Sequence, residues 1–188
     1  YFQIWAALYT LEKNQIYIGY VIGLDYTNPY LSPYDEFQRF KTHPSISKFL
    51  INGKRISYGA RALIEGGLQS LPQMYMPGAV LVGCDAGTLN MPKIKGSHTA
   101  MKSGILAAET IHDHLKNNQP LSNLEEKLKK SWLYKELYQA RNIKPSFKWG
   151  LIAAILFTGL DQIIFRGYLP FTLKHSHADH DTLKESNK

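Results

Sequence analysis

The hydrophobic pattern changes period along the chain. Residues 1–26, YFQIWAALYTLEKNQIYIGYVIGLDY, are rich in aromatic and β-branched side chains and interrupted by Glu12-Lys13-Asn14. They predict two strands joined by a polar turn. Asn28-Pro29 and Ser32-Pro33 break that pattern, and Ser32 is placed to cap a short helix carrying Asp35, Glu36, Phe37 and Phe40. A second short helix is expected from Pro44 to the Asn52-Gly53 turn. KRISYGARAL (54–63) reads as a strand leading into a bend before Gly66-Gly67. After Pro72, Pro77 and Gly78, AVLVGC (79–84) has the uniform apolarity of a short buried strand.

From Gly96 the period is helical. Met101, Ile105, Leu106, Ala108, Ile111 and Leu115 recur at three- and four-residue spacing up to Asn117-Asn118 and Pro120. A further helix over 123–142 sets Leu124, Leu128, Leu133 and Leu137 on one side and lysines on the other, with Pro145 expected to stop it. No internal repeat is visible, and the last dozen residues read as disordered.

Composition adds little: 44% hydrophobic and 20% charged residues among 188 are ordinary globular usage and exclude wholesale disorder. Charge adds more. The net +7 is carried by residues 127–174, where seven lysines and two arginines face only Glu136 and Asp161, leaving the remainder balanced. Such a block suits nucleic acid, an acidic protein, an anionic membrane, or simply a solvated helix face. Lys54, Arg55 and Arg61 around Tyr58 read either as a basic–aromatic patch or as an exposed strand face. The single cysteine, Cys84, excludes an internal disulfide and any all-cysteine metal or iron–sulfur site. No uncharged run reaches the roughly 18–20 residues of a spanning helix. The sequence starts at Tyr1 without a signal-like segment, and it reads as a piece of a longer protein.

The chemistry concentrates in VLVGCDAGTLNMPKIKGSHTAMKSG (80–104): a strand, a glycine-rich turn, a proline-bounded loop and a helix starting near Gly96. Uncapped N–H groups at such a helix start suit a phosphate or a flavin carbonyl oxygen, and small residues allow close approach to the backbone. An ordinary strand–loop–helix with turn glycines fits the same spacing. Residues 147–171, FKWGLIAAILFTGLDQIIFRGYLPF, are a second concentration. As a helix they set Ile152, Ile155, Leu156, Leu160 and Ile163 on one face. As a hairpin they would turn at Gly159 or Asp161-Gln162. Flanking Lys144, Lys148 and Arg166 with Trp149, Phe165 and Tyr168 suit a lipid interface; a buried core helix is the alternative. HSHADHD (175–181) lacks a scaffold for a metal site, and Ser103 and His98 lack the partners a hydrolase needs.

The 80–104 segment resembles the second FAD-contacting motif of the geranylgeranyl-reductase-like flavoproteins, a G-D-A-A-G strand end followed by a G-x-x-x-A-M-x-S-G helix. NPYLSPYDEFQRFKTHPSI, GKRISYGARALIEGG, QSLP, MPKIKGSHTAMKSGILAAE, SWLYKELYQARNIKPS and RGYLPFTLKH are similar, in order, to the electron transfer flavoprotein–ubiquinone oxidoreductase family. The likeness covers most of residues 17–175.

The resemblance implies an α+β chain forming part of an FAD-dependent oxidoreductase fold. Residues 1–79 would belong to a β-sheet quinone or substrate region and 80–118 to the returning strand, loop and helix of the FAD domain. Residues 119–175 would form C-terminal helices with a membrane-surface segment, ahead of a disordered 176–188 tail. FAD would lie along Gly83, Asp85, Ala86 and Gly87 through its ribityl and pyrophosphate groups, with Gly96 and Thr99 at the isoalloxazine edge. Tyr58 and Gly59 would line the quinone pocket, and Trp149, Ile152, Ile155, Leu156, Leu160 and Ile163 would contact the membrane. No catalytic side chain or metal ligand is assigned. Three departures stand out. Cys84 occupies the place of the ribityl-binding aspartate, with Asp85 one residue later, so either side chain could take the hydroxyl; a buried structural thiol is the plainer role for Cys84. The first strand reads FQIWAAL where the family has a quinone-contacting glycine pair. Neither a G-x-G-x-x-G loop nor the ligands of the family's [4Fe-4S] cluster occur.

The implied activity is transfer of electrons from reduced electron transfer flavoprotein through FAD to ubiquinone, by a peripheral or monotopic protein of the bacterial cytoplasmic or mitochondrial inner membrane, without nucleic acid. The isolated chain is expected to be inactive. A flavoenzyme reducing isoprenoid double bonds and a non-catalytic membrane-docking remnant are the alternatives; QARNIKPS and KTHPSI favour the first reading.

Overall fold

The computed structural model describes residues 4–12, 14–175 and 177–186. Tyr1, Phe2 and Gln3 of the first expected strand, Lys13 of its turn, Ser176 and the last two residues lie outside them. The chain divides into two compact units, Tyr1–Ala60 with His177–Lys188, and Arg61–Ser176. Helices and two small antiparallel sheets make the class α+β.

In the first unit the expected hairpin forms. Strand β1 (Ile4–Leu11) pairs antiparallel with β2 (Gln15–Ile22) from Ile4↔Ile22 to Leu11↔Gln15. Asn14 takes φ +57, the left-handed residue that closes a three-residue hairpin loop. Helix α1 (Pro33–Thr42) starts where Ser32 accepts a hydrogen bond from the Asp35 amide, with Pro33 in its first turn and Asp35 and Glu36 beside the positive end. It packs through aromatic faces, Tyr20 stacking on Phe37 at 5.9 Å and Phe40 at 5.1 Å between centroids. Helix α2 (Pro44–Ser47) is one turn long, shorter than the expected run to Asn52-Gly53; the chain continues there in turns. Thr182 donates to the Tyr26 carbonyl and the Lys184 amide to that of Thr27, so part of the C-terminal stretch returns to this unit around a 3-10 turn at Asp179–Thr182.

KRISYGARAL forms no strand. Residues 51–64 are exposed and irregular. A strand is held by the ladder of a neighbour, and no described segment supplies one.

The second unit holds a core of Met74, Ala86, Leu106, Ala107, Leu124, Leu128, Leu133 and Leu137. AVLVGC corrects to something smaller than a buried strand. Strand β3 (Tyr75–Met76) pairs with β4 (Ala79–Val80), Leu81 and Val82 are exposed, and Gly83–Ala86 is a 3-10 turn. Helix α3 (Ser97–Asn117) runs as expected from Gly96 to a left-handed Asn118. Its buried face is Thr99, Ser103, Leu106, Ala107 and Thr110, so of the apolar series only Leu106 is buried.

The expected 123–142 helix is two helices, α4 (Asn123–Lys130) and α5 (Trp132–Ala140). Ser131 separates them in extended conformation, its hydroxyl donating to the Leu128 carbonyl at 2.6 Å and accepting from the Tyr134 amide at 3.4 Å. The four leucines are buried on both sides of the break. Pro145 does not stop the chain: it sits in the first turn of α6 (Ile143–Ser146), where no helical partner is needed from its nitrogen. Helix α7 (Leu151–Gly159) continues as a π turn, Leu160–Ile164, which resolves the helix-or-hairpin alternative for 147–171 in favour of a helix.

Candidate functional site

Two places in the second unit gather the residues of interest. The first is the turn after β4 and the start of α3. Ser103 ties them together: its hydroxyl accepts from the Gly83 amide at 2.8 Å and donates to the Ala100 carbonyl at 2.7 Å. Gly83, Ala86, Gly87 and Thr99 are buried here, and Gly96 is half-buried. The six proposed FAD residues are thus neighbours, but the chain itself covers several. Ile64 and Leu71 lie against Gly87. A Cβ at Gly96 would come within 2.6 Å of the Cys84 Sγ and 2.8 Å of Leu89 Cδ1, so a larger residue at 96 would have to displace those side chains.

Cys84 therefore faces inward against Gly96, while Asp85 is exposed and held by Arg61, whose Nη2 lies 2.7 Å from both carboxylate oxygens. The hydrogen bond and charge of Asp85 raise the Arg61 pKa. Helix α3 has no side-chain N-cap. Thr88 Oγ1 is buried without a hydrogen-bond partner among the described residues. An exposed carboxylate, an uncapped helix start and an orphaned hydroxyl fit the polar edge of a flavin.

A carboxylate from α5 shapes the loop before α3. Glu136 Oε1 accepts from Asn90 Nδ2 at 2.7 Å and pairs with His98 Nε2 at 2.9 Å, while Lys93 lies 3.4 Å from Oε2. Burial works against this charge, but the bonds from His98 and Asn90 and the charge of Lys93 outweigh it and hold the Glu136 pKa low. His98 thus has an acidic partner that spacing does not reveal, 38 residues away in sequence.

The second place is the segment after α6. Ala154 and Asp161 are fully buried, whereas Ile152 is 77% and Ile163 81% exposed, with Leu151, Ile155, Leu156, Leu160 and Ile164 also outward. Polarity is inverted: the carboxylate faces in and the aliphatic side chains face out. Trp149, edge-on to Phe157 at 5.2 Å, is also exposed.

Arg141 holds this segment in place. Its Nε donates to Thr172 Oγ1, Nη1 to the carbonyls of Tyr138 and Gly167, and Nη2 to those of Leu169 and Phe171. All five guanidinium donors are used, more than the three a lysine offers. Gly167 takes φ +77, and a Cβ there would meet the backbone of Gln139, so only glycine fits. Asn142 adds a bond from Nδ2 to the Phe171 carbonyl and another from the Leu173 amide to Oδ1. Burial raises the Asp161 pKa more than Gln162, Arg141 and the Leu169 backbone lower it, and Oδ1 has no hydrogen-bond partner among the described residues.

Tyr58 and Gly59 lie in the other unit; Tyr58 is 86% exposed and nothing approaches a Cβ built at Gly59. Of the tail histidines, His175 bonds the Gly66 carbonyl through Nε2 at 2.9 Å. Among the described residues no His, Cys, Asp and Glu group could hold a metal, and no helix is long and apolar enough to cross a membrane.

Comparison with known proteins gives the class first: residues 5–63 match the family model described as ETF-QO, ubiquinone-binding. Over 94% of its length the chain is 52% identical to the mitochondrial electron transfer flavoprotein–ubiquinone oxidoreductase of Bos taurus. It is 50% identical to the mitochondrial counterpart of Oryza sativa, over 93% of its length, and to the electron transfer flavoprotein–ubiquinone oxidoreductase of Pseudomonas aeruginosa, over 96%. The chain is thus similar, over nearly all of its own length, to the electron transfer flavoprotein–ubiquinone oxidoreductases of these organisms. It spans about a third of their length, 31%, 30% and 34% respectively.

Proposed function

We propose that this chain supplies the quinone-side hairpin, the flavin-edge turn and helix, and the lipid-facing segment of a flavoprotein that passes electrons from reduced electron transfer flavoprotein to ubiquinone. The observation that carries the reading is the identity of about half its residues, over more than nine-tenths of its length, to proteins of that name. Bound FAD would supply the redox chemistry, accepting single electrons and delivering a pair. Asp85, exposed where Cys84 is turned inward, would take a ribityl hydroxyl in exchange for Arg61. The amides at the start of α3 would face the isoalloxazine edge, with Gly96 and Thr99 shaping the turn beneath it. Gly83, Ala86 and Gly87 would set the backbone path along the ribityl and pyrophosphate groups. Tyr58 and Gly59 remain the proposed quinone contacts. The [4Fe-4S] cluster expected of the family has no ligand set here.

The membrane reading draws on the inverted polarity of α7. Each large aliphatic side chain removed from water contributes about 1.5–3 kcal/mol, largely independent of salt. Each basic residue near an anionic surface adds about 1 kcal/mol, screened within a Debye length. Vesicle co-sedimentation tests it. The chain should bind anionic vesicles and leave in salt with mild detergent, but not in salt alone. Because Ile155 and Leu156 are exposed, replacing both with Asp should abolish binding without lowering the thermal midpoint; Lys148→Ala should weaken binding at low salt only. A folded parent chain that stays off the vesicles at low salt rejects the reading. For the flavin, Asp85→Ala in a full-length protein containing this chain should speed FAD loss. The 188 residues alone should bind FAD more weakly than micromolar, as followed by flavin fluorescence quenching.

A further inference from the structure

We propose that Glu136 is a positioning residue for the flavin-edge loop: from α5 it fixes the path of residues 90–96 and the first turn of α3. This rests on the reading that α3 starts beside the flavin. The hydrogen bonds within the loop itself are local. Asn90 and Lys95 form an isolated bridge, with amide-to-carbonyl distances of 3.1 and 3.3 Å, and Asn90 Oδ1 accepts from the Lys93 amide at 3.3 Å. Between them Ile94 takes φ +53, a conformation that a β-branched side chain resists and that neighbouring contacts must impose.

Glu136 reaches both ends of this loop. It binds Asn90 at the entrance, Lys93 in the middle and His98 just past the exit. Trp132, one helical turn earlier on α5, stacks on the His98 ring at 5.7 Å and 6°. The imidazole is therefore gripped by its face and its edge from one side of α5. A carboxylate is the group this place requires, because the side chains converging on it are donors: an amide NH₂, an ammonium and a ring nitrogen. A glutamine in its place would turn its own NH₂ toward one of them.

The exchange of Asn90 and Glu136 chemistry provides the test. Glu136→Gln alone should raise amide hydrogen exchange over residues 90–98 at least tenfold in this chain, leaving α4 and the rest of α5 protected. Adding Asn90→Asp restores a donor–acceptor pair, since an aspartate at 90 accepts from the new NH₂ and still accepts from the Lys93 amide, and should recover most of the protection. In the flavin-loaded full-length protein containing this chain, the single variant should release FAD about tenfold faster and the pair should recover most of the loss. Unchanged exchange in the single variant, or no recovery in the pair, overturns the proposal. Faster exchange with flavin release unchanged overturns the link to the flavin. Failure of the flavin reading itself shows separately, as full FAD retention by Asp85→Ala.

Discussion

Asp161 and Glu136 are the two acidic residues of an otherwise basic stretch, and the structure gives them opposite electrostatic environments. Burial raises the pKa of Asp161, whereas the converging donors lower that of Glu136. Their contributions to stability therefore have opposite slopes with pH. For Asp161 the folded state holds its proton to higher pH than the unfolded state. Its stabilisation is complete below the ordinary aspartate value of 3.8 and declines as pH rises through the raised value. For Glu136 stabilisation is present above 4.5 and is lost as pH falls through its lowered value. Thermal melts from pH 3 to 7 should separate the two. Asp161→Asn should remove the decline on the rising side, and Glu136→Gln should remove the loss on the acid side. If Asp161→Asn leaves the profile unaltered, the carboxylate does not carry its charge in a buried place.

At the scale of elements, Ser131 explains why one helical pattern became two helices. The leucine spacing steps from four residues to five between Leu128 and Leu133, which in one continuous helix would turn them about 140° apart, although no proline or glycine marks the break. What ends α4 is a serine hydroxyl that serves the last turn behind it and the first turn ahead of it. Ser131→Ala should cost about 1 kcal/mol, the usual value of an N-cap. In a domain of this size that lowers the thermal midpoint by about 2–4 °C with little change in helix content. An unchanged midpoint would assign the break to packing instead.

The same element scale shows what was legible in the sequence. Hairpin, capped α1, the limits of α3 and the buried leucines follow from local rules, because side-chain period and turn residues act over a few positions. KRISYGARAL could not be judged that way, since a strand exists only through its partner. The burial of Thr99, Ser103 and Thr110 in place of Met101, Ile105 and Leu115 was equally hidden. A helix packs the face that its neighbours can satisfy, and Ser103 is bonded to Gly83, twenty residues away. At the site, the glycine turn and helix start were readable as motifs. The grip of Glu136 on His98 and of Arg141 on four carbonyls was not, because those partners meet only after folding.

For the molecule as a whole, the placement of its acids has a further consequence. Asp161 is fully buried and Glu136 partly so, with 18% of its side chain exposed, and residues 127–174 contain no histidine. The exposed charge of that stretch is therefore carried mainly by lysine and arginine. If the proposed vesicle contact runs through it, ionic strength and lipid charge set its strength, with acidity as a silent variable. Vesicle binding measured from about pH 6 to 9 at constant salt should be flat, while a rise from 50 to 300 mM salt at pH 7.5 should weaken it. A steep acid dependence would place the contact on the histidine-bearing parts of the chain. A protein built this way would keep its hold on a surface whose local proton concentration swings, the condition beside any membrane across which protons are pumped.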